Sequence, residues 1–380
     1  MAFGVGRGAI KPAAPAGRAR AGGTRRHRRL PLHSAKQMAA PPTPTDAPAP
    51  SPRRVLVTGS SGFIGTNLVE YLLSRGHSVL GFSRRPPRDP RHAAVFRRGD
   101  ALDAGALAAA AREFGATDVV HLAAATVSHR RGATPDYSAN VKGTDAMIRA
   151  LAEAPGVGRC VFASSHVVAH PDGRPYERGD EDPVAPYARS KAAAERAVHE
   201  DATMACDWCV VRPIAVWGPW FDVPFRPFFE AVARGRYVHP GRDDAPKRLG
   251  YVGNVCHQIE GLLRAPRAAV HRQTFYLADD EPTTLRRWAE LIASRAGVRP
   301  PRTLPEPLVR AAARAGDVLR AAGWRGAPLT SFRLRNMRTD TGAYDVGPVV
   351  RLAGRMPFAP AAAVDLTLAW LRDHGQLDHR

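Results

Sequence analysis

From Arg54 onward the chain alternates short, wholly apolar runs with longer stretches in which apolar residues recur every three or four positions. The first pattern marks buried strands and the second amphipathic helices. Arg54-Val-Leu-Val-Thr58 predicts a strand, and Phe63 to Ser74 a helix stopped at Gly76. His77 to Ser83 and Val95 to Arg98 predict two more strands, with an alanine-rich helix over Ala104 to Phe114. The order then repeats as strand Asp118 to Ala123, helix Asp136 to Glu153, strand Arg159 to Ser164, helix Tyr187 to Ala202 and strand Asp207 to Arg212. Apolar strands separated by helices predict an α/β fold, a Rossmann-type doubly wound parallel sheet that binds ligands beyond the carboxyl ends of its strands. Past Trp220 the pattern becomes mixed, with Pro/Arg-rich loops and helices near Val255 to Leu263, Thr284 to Ala296, Leu308 to Ala322 and Ala361 to Arg372. The chain thus divides into a tail (1–52), the doubly wound domain (53–219) and a smaller mixed C-terminal lobe (220–380), mostly for binding substrate.

Composition changes this picture at the amino end. The chain has 55 Lys+Arg against 35 Asp+Glu, so 55 − 35 = +20, and 50 of the basic residues are arginine. Arginine abundance alongside Ala, Pro and Gly points to a GC-rich gene rather than to phosphate contacts, so no nucleic-acid partner is expected. Residues 1–51 hold nine basic residues and one acidic, 9 − 1 = +8, with no hydrophobic periodicity. Such a Pro/Ala-rich segment cannot bury enough apolar surface to offset the entropy of ordering, and disorder is predicted. A start at Met38, an Arg-rich targeting segment and, last, a nucleic-acid arm are the other readings of the tail. No apolar run reaches the ~18 residues of a membrane span, so no membrane partner is expected. Four cysteines are too few for a disulfide scaffold, and a cytoplasmic location follows. Cys206-Asp-Trp-Cys209 runs into Val210-Val211 and reads as core rather than as a redox or zinc pair. No second ligand pair stands at zinc spacing, and no metal is expected.

The chemistry begins after the first strand, at Thr58-Gly59-Ser60-Ser61-Gly62-Phe63-Ile64-Gly65. Gly59 can take the turn, Gly62 lets the backbone approach a diphosphate, and Gly65 lets the helix pack closely on the strand. The helix amino terminus adds unpaired N–H groups and a positive dipole, the makings of a dinucleotide site. The second strand ends in Phe82-Ser83-Arg84-Arg85 with no acid to hold a ribose 2′-hydroxyl. NADP is therefore favoured over NAD, with Arg84 at the 2′-phosphate, the alternative being a solvated arginine pair. Asp100 is placed either for the adenine amino group or as a carboxylate at a helix start. Tyr187 and Lys191 stand at i and i+4 on one helix face, where an ammonium lowers a phenol's pKa, or else form a surface pair. Ser165, at the carboxyl end of an earlier strand, could bind the oxygen that Tyr187 serves. His166 beside it reads as a substrate contact or a packed histidine. Trp217, Trp220, Phe221, Phe225, Phe228 and Phe229 read as a pocket wall or as packing between the lobes.

TGxxGFIG, Val120-His-Leu-Ala-Ala124, Asn140-Val-Lys-Gly-Thr144, Ser164-Ser165, Tyr187-x-x-x-Lys191, Val211-Arg-Pro213 with Trp217-Gly-Pro219, and Tyr251-Val-Gly-Asn-Val255 together resemble the extended short-chain dehydrogenase/reductases, in particular the NAD-dependent epimerase/dehydratase branch acting on nucleotide sugars. The resemblance implies Ser165, Tyr187 and Lys191 as the catalytic triad. It implies cofactor contacts at Gly59, Ser61, Gly62, Phe63, Ile64, Gly65, Asp100, Leu122, Ala123, Ala124, Asn140 and Lys191, with Ile214 beside the nicotinamide. Thr126, His166, Lys247 and Arg248 are the candidate substrate contacts, with Lys247 or Arg248 in the place of the family arginine that can hold a nucleotide diphosphate, and a homodimer is implied. Three positions depart from the family pattern: Ala169-His170 stands for Tyr-Gly, Ala215 for a substrate-binding Asn, and Val-Gly-Asn for Val-Asp-Asp. The expected activity is an NAD(P)-dependent epimerase or dehydratase reaction on a nucleotide sugar. An NADPH-dependent ketone reductase or hydroxysteroid-like dehydrogenase is the alternative, and a non-catalytic dinucleotide sensor the third reading.

Overall fold

In β1 (Arg54–Thr58), Val55 and Val57 point into one core and Leu56 into another, as the two-residue period of a strand requires. The computed structural model describes residues 51–126, 136–168, 185–222, 224–242, 244–324 and 329–378. Tail residues 1–50, with Met38, and Ala169-His170 lie outside them. β1 is joined by β2 (Ser78–Ser83), β3 (Phe96–Arg98), β4 (Asp118–His121), β5 (Arg159–Ala163) and β6 (Asp207–Pro213). All pair in parallel in the order β3-β2-β1-β4-β5-β6, and the same alternation sends Val120, Val161, Cys209 and Val211 to one face and Val119, Phe162, Trp208 and Val210 to the other. Helices α1 (Phe63–Ser74) and α6 (Val252–Arg264) cover the first face; α2 (Ala104–Phe114), α3 (Ser138–Ala152) and α4 (Ala185–Glu200) cover the second. The doubly wound parallel sheet expected from the sequence is what forms.

The sheet does not end at the boundary expected near 219. Gln273–Leu277 returns from the C-terminal segment as a seventh strand and pairs in parallel with β6. It is β11, after four short strands that belong to small two-stranded pairs: β7 (Val216–Trp217), β8 (Val238–Pro240), β9 (Pro246–Lys247) and β10 (Gly250–Tyr251). β12 (Thr283–Thr284) and β13 (Arg302–Leu304) complete those pairs, β10 with β7, β12 with β9 and β13 with β8. The remaining helices are α5 (Phe225–Ala233), α7 (Arg267–Val270), α8 (Leu285–Ala296), α9 (Glu306–Ala321), α10 (Ser331–Arg338), α11 (Gly347–Ala353) and α12 (Pro360–Asp373). Trp217, Phe221 and Phe229 are buried, and Trp217 lies 5.7 Å from Phe229 and 5.3 Å from Trp288 between ring centroids. The aromatic cluster is therefore packing. All four cysteines are buried and unpaired, and burial pushes Cys206 up to about 11 and Cys209 up to about 12, so the CxxC thiols stay protonated in the core.

A close backbone approach joins the first turn of α1 to the turn before it. A Cβ on Gly65 would stand 2.3 Å from the Gly59 carbonyl oxygen and 2.8 Å from Ser60 Cα, and neither is a side chain that can swing away. Gly65→Ala is expected to lower stability by about 3 kcal/mol in chemical denaturation, by displacing α1 from β1.

Candidate active site

The sheet order reverses between β1 and β4, and the loops leaving those two strands meet there. Gly59 has φ +67, and a Cβ on it would stand 2.8 Å from the Ala123 nitrogen, so the left-handed turn and the loop contact both require glycine. Gly62 begins α1 without a side-chain cap, and no acidic residue occupies the first turn. The Ser60 hydroxyl is buried without a partner, while Ser61 Oγ donates to the Arg85 carbonyl at 2.7 Å. The Ser61 carbonyl in turn accepts from Arg88 Nε at 3.1 Å. Phe63 and Ile64 lean on the core. An uncapped helix start, an orphaned hydroxyl and a glycine turn fit the diphosphate of a dinucleotide.

Around this turn the other expected cofactor residues divide. Arg84 is exposed at the end of β2. Asp100 accepts from the Leu102 N–H at 3.1 Å in the turn before α2, and the carboxylate at the helix start is that of Asp103, which accepts from the Ala106 N–H at 2.9 Å. Leu122, Ala123 and Ala124 are half-buried behind β4, with the Leu122 N–H donating to the Thr58 carbonyl. Asn140 does not offer its amide to a ligand: Nδ2 donates to the Ala125 carbonyl (3.1 Å) and Ser190 Oγ (2.9 Å), and Oδ1 accepts from Ala125 N–H (2.7 Å). It pins the loop after β4 to α4. Ile214, expected beside the nicotinamide, is fully buried in the core that α6 shares with the sheet, so its side chain lines no cleft.

The three expected catalytic residues do come together. Tyr187 and Ser165 share a hydrogen bond. Lys191 is buried one turn along α4, where its Nζ donates to the Ala163 carbonyl at 2.7 Å, two residues before the serine. Burial pushes Lys191 down to about 8 although Glu195 opposes the shift. Burial likewise pushes Tyr187 up to about 12, with the Ser165 hydrogen bond pulling the other way and Tyr137 adding to the rise. The phenol is thus a neutral donor at neutral pH. The expectation that Lys191 lowers it is not met in the free protein, because the ammonium is aimed at Ala163.

The expected substrate contacts fare differently. Thr126 is exposed at the last described position before 127–135. His166 donates through Nδ1 to the Pro213 carbonyl (3.1 Å), which leaves Nε2 as the acceptor. Burial, helped by the charge of Lys247, pushes this ring down to about 4 and keeps it neutral. Lys247 is no diphosphate ligand: it is buried, donating to the carbonyls of Asn336 (2.8 Å) and Thr339 at the end of α10. Arg248 is likewise occupied by the backbone, through Nε to the Tyr344 carbonyl (2.7 Å) and Nη1 to the carbonyls of Asp279 (3.2 Å) and Asp280. Both cations satisfy carbonyls that the folded loops would otherwise strand. The Val-Gly-Asn departure has a packing cause, since a Cβ on Gly253 would stand 2.6 Å from the Tyr251 ring and 2.8 Å from that of Phe358.

Sequence reasoning missed three residues of the site. Tyr137 lies 5.8 Å from Tyr187 between ring centroids, Ser190 links Tyr187 to Asn140, and Arg88 joins the Ser61 carbonyl to that of Trp220 (2.8 Å). Ser190 was legible as the third residue after Tyr187 on one helix face. Tyr137 and Arg88 act across long stretches of chain and carry no local signal.

A family model described as "NAD dependent epimerase/dehydratase family" matches residues 55–277. The 3 beta-hydroxysteroid dehydrogenase/Delta 5→4-isomerase of Mycobacterium tuberculosis is 33% identical over 278 residues, which cover 68% of this chain and 73% of that protein. The 2-alkyl-3-oxoalkanoate reductase of Stenotrophomonas maltophilia is 32% identical over 64% of this chain and 76% of its own length. Among solved structures, the UDP-glucose 4-epimerase of Thermus thermophilus in complex with NAD superposes with a TM-score of 0.60 at 24% identity, covering 84% of this chain and 99% of that one.

The position of Arg248 yields a check. Arg248→Met is expected to lower stability by about 2 kcal/mol, the worth of a charge-assisted hydrogen-bond set, and to leave substrate KM within about twofold. Denaturant titration and steady-state kinetics read the two effects separately.

Proposed function

The chain belongs to the NAD-dependent epimerase/dehydratase family of oxidoreductases, and on that premise we propose that it is an NADP-dependent reductase of a ketone on a largely apolar, non-nucleotide substrate. The observation that carries this reading is the commitment of Lys247 and Arg248 to backbone carbonyls beside an assembled Ser165, Tyr187 and Lys191. Among the described residues, both candidates for the one cation expected at a sugar diphosphate, Lys247 or Arg248, are spent on the fold. Relatives whose names place them on steroids and oxoalkanoates support the same reading.

The glycine turn with Ser60 and the start of α1 would hold the diphosphate, and Arg84 with Arg85 the 2′-phosphate. When bound, the nicotinamide supplies the hydride. Ser165 orients the ketone oxygen, and Tyr187, protonated at neutral pH, donates its phenolic proton to that oxygen as charge develops on it. Lys191, still an ammonium below about pH 8, turns from the Ala163 carbonyl toward the phenolate left behind and stabilises it. Neutral His166 accepts a hydrogen bond from a substrate hydroxyl or water at Nε2. The rival reading, an epimerase of nucleotide sugars, would require phosphate ligands from elsewhere in the chain.

Purified protein offered NADPH with a 3-ketosteroid or a 3-oxoalkanoate is expected to consume cofactor in step with ketone. Interconversion of UDP-glucose and UDP-galactose without net cofactor change would overturn the proposal in favour of the epimerase. Tyr187→Phe should lower kcat by about 10²–10⁴-fold and leave NADPH affinity unchanged. Reduction should hold level through neutral pH and decline as pH passes about 8, because Lys191 then loses the charge that stabilises the phenolate. Arg84→Ala with Arg85→Ala should raise KM for NADPH on the order of tenfold while sparing NADH.

A further inference from the structure

Away from the sheet, α9 packs on α10 through a small core of its own, Val309, Ala313 and Leu334, set apart from the two cores that cover the sheet. The rest of α9 is unusual. Leu308, Val318, Leu319 and, just past the helix, Trp324 are 55, 68, 41 and 53% exposed. They are four of the six exposed large apolar side chains among the described residues, so the apolar surface is concentrated rather than scattered. At about 100° per residue, Leu308, Ala312, Ala315, Val318, Leu319 and Ala322 form a single exposed band about 120° wide.

Charge identifies what this band meets. Arg310, Arg314 and Arg320 are exposed on the same helix. Its two acids are already engaged: Glu306 accepts from Arg310 (2.8 Å) and Arg338 (2.6 Å), and Asp317 accepts from the Ser331 N–H (3.0 Å). Beside it, Ser331, Leu334, Arg335, Arg338 and Thr339 line a cavity of about 380 Å³, and Arg338 Nε is buried without a partner. On the same wheel Arg314 stands about 40° from one edge of the band, and Arg310 and Arg320 about 80° beyond its two edges, so the helix turns an apolar face outward with arginines on its flanks, an arrangement complementary to acyl chains below anionic headgroups.

We propose that the exposed face of α9 is a docking surface on which the protein lies in the plane of an anionic lipid bilayer. The expectation of no membrane partner rested on the lack of a spanning segment, and no described helix is long and apolar enough to cross a membrane. A helix lying in the interface needs no span. The proposal stands apart from the catalytic reading, since none of these residues touches the site.

The full chain is to be sedimented with vesicles of phosphatidylcholine alone and with vesicles in which phosphatidylglycerol replaces a third of the lipid. Partition onto the anionic vesicles is expected to be on the order of tenfold stronger, to fall with added salt and to shift tryptophan emission to the blue. Val318→Asp with Leu319→Asp, and separately Arg314→Glu with Arg320→Glu, should each lower that partition on the order of tenfold while the basic tail remains in place. These side chains are exposed, so the thermal midpoint of each variant should match that of the parent. Trp324→Phe should bind and lose the blue shift. Undiminished binding by the Val318→Asp, Leu319→Asp variant would assign lipid affinity to the tail and overturn the proposal. So would an absence of binding to either vesicle, or a dimer in sedimentation equilibrium that this variant abolishes.

Discussion

The site depends on one polar seam buried under α4. Tyr187, Lys191 and Glu195 follow one another at intervals of four along a single helix face, and each is tied to the sheet or its edge. Tyr187 meets Ser165 beyond β5, Lys191 meets the Ala163 carbonyl within β5, and Glu195 grips Arg212 of β6 through both oxygens (2.9 and 2.6 Å). Arg212 then donates to the Tyr276 hydroxyl of β11 at 2.9 Å. Burying a lysine costs free energy, and the lowered proton affinity of Lys191 is the mark of that cost. The bidentate pair one turn away offsets part of it and fixes the register of α4, which in turn fixes where the phenol stands.

The cofactor side rests on a different principle, the absence of side chains. Gly59 and Gly65 let a loop, a helix and a neighbouring loop close to within backbone contact, and the hydroxyl of Ser60, left without a protein partner, lies against Gly81 of β2. The two halves of the site are joined by Asn140, which holds the loop after β4 to Ser190 on α4. The reversal of the sheet between β1 and β4 is what brings a turn built on glycine beside a seam built on charge.

Most of the sheet was legible because its strands carry unbroken apolar runs and its helices carry a clear period; β1, α1 and α2 form over the residues predicted for them. The seventh strand was not, since Gln273-Thr-Phe-Tyr-Leu277 is short, follows an arginine-rich loop and gains its meaning only from pairing with β6. The triad could be read from spacing because a helix converts i, i+4 into proximity. Lys247 and Arg248 could not, as a cation looks the same in sequence whether it faces a phosphate or a carbonyl, and only tertiary contacts assign it. Ile214 fell to the core for a similar reason: an apolar residue after a strand suits a ring face and a packed interior equally.

The late arrival of β11 has a consequence for how the chain is made. During synthesis β6 emerges with its outer edge bare, and the strand that covers it lies more than sixty residues further along, since Tyr276 is 64 positions from the arginine it serves. The nascent sheet therefore carries an open hydrogen-bonding edge throughout translation of the intervening lobe, the kind of edge that invites pairing with a foreign strand. Glu195, only 17 positions from Arg212, can engage that side chain well before the covering strand exists. Of the two side chains that hold Arg212 in the finished fold, Glu195 is thus the one already made when β6 emerges, and Tyr276 arrives only with the strand that closes the edge.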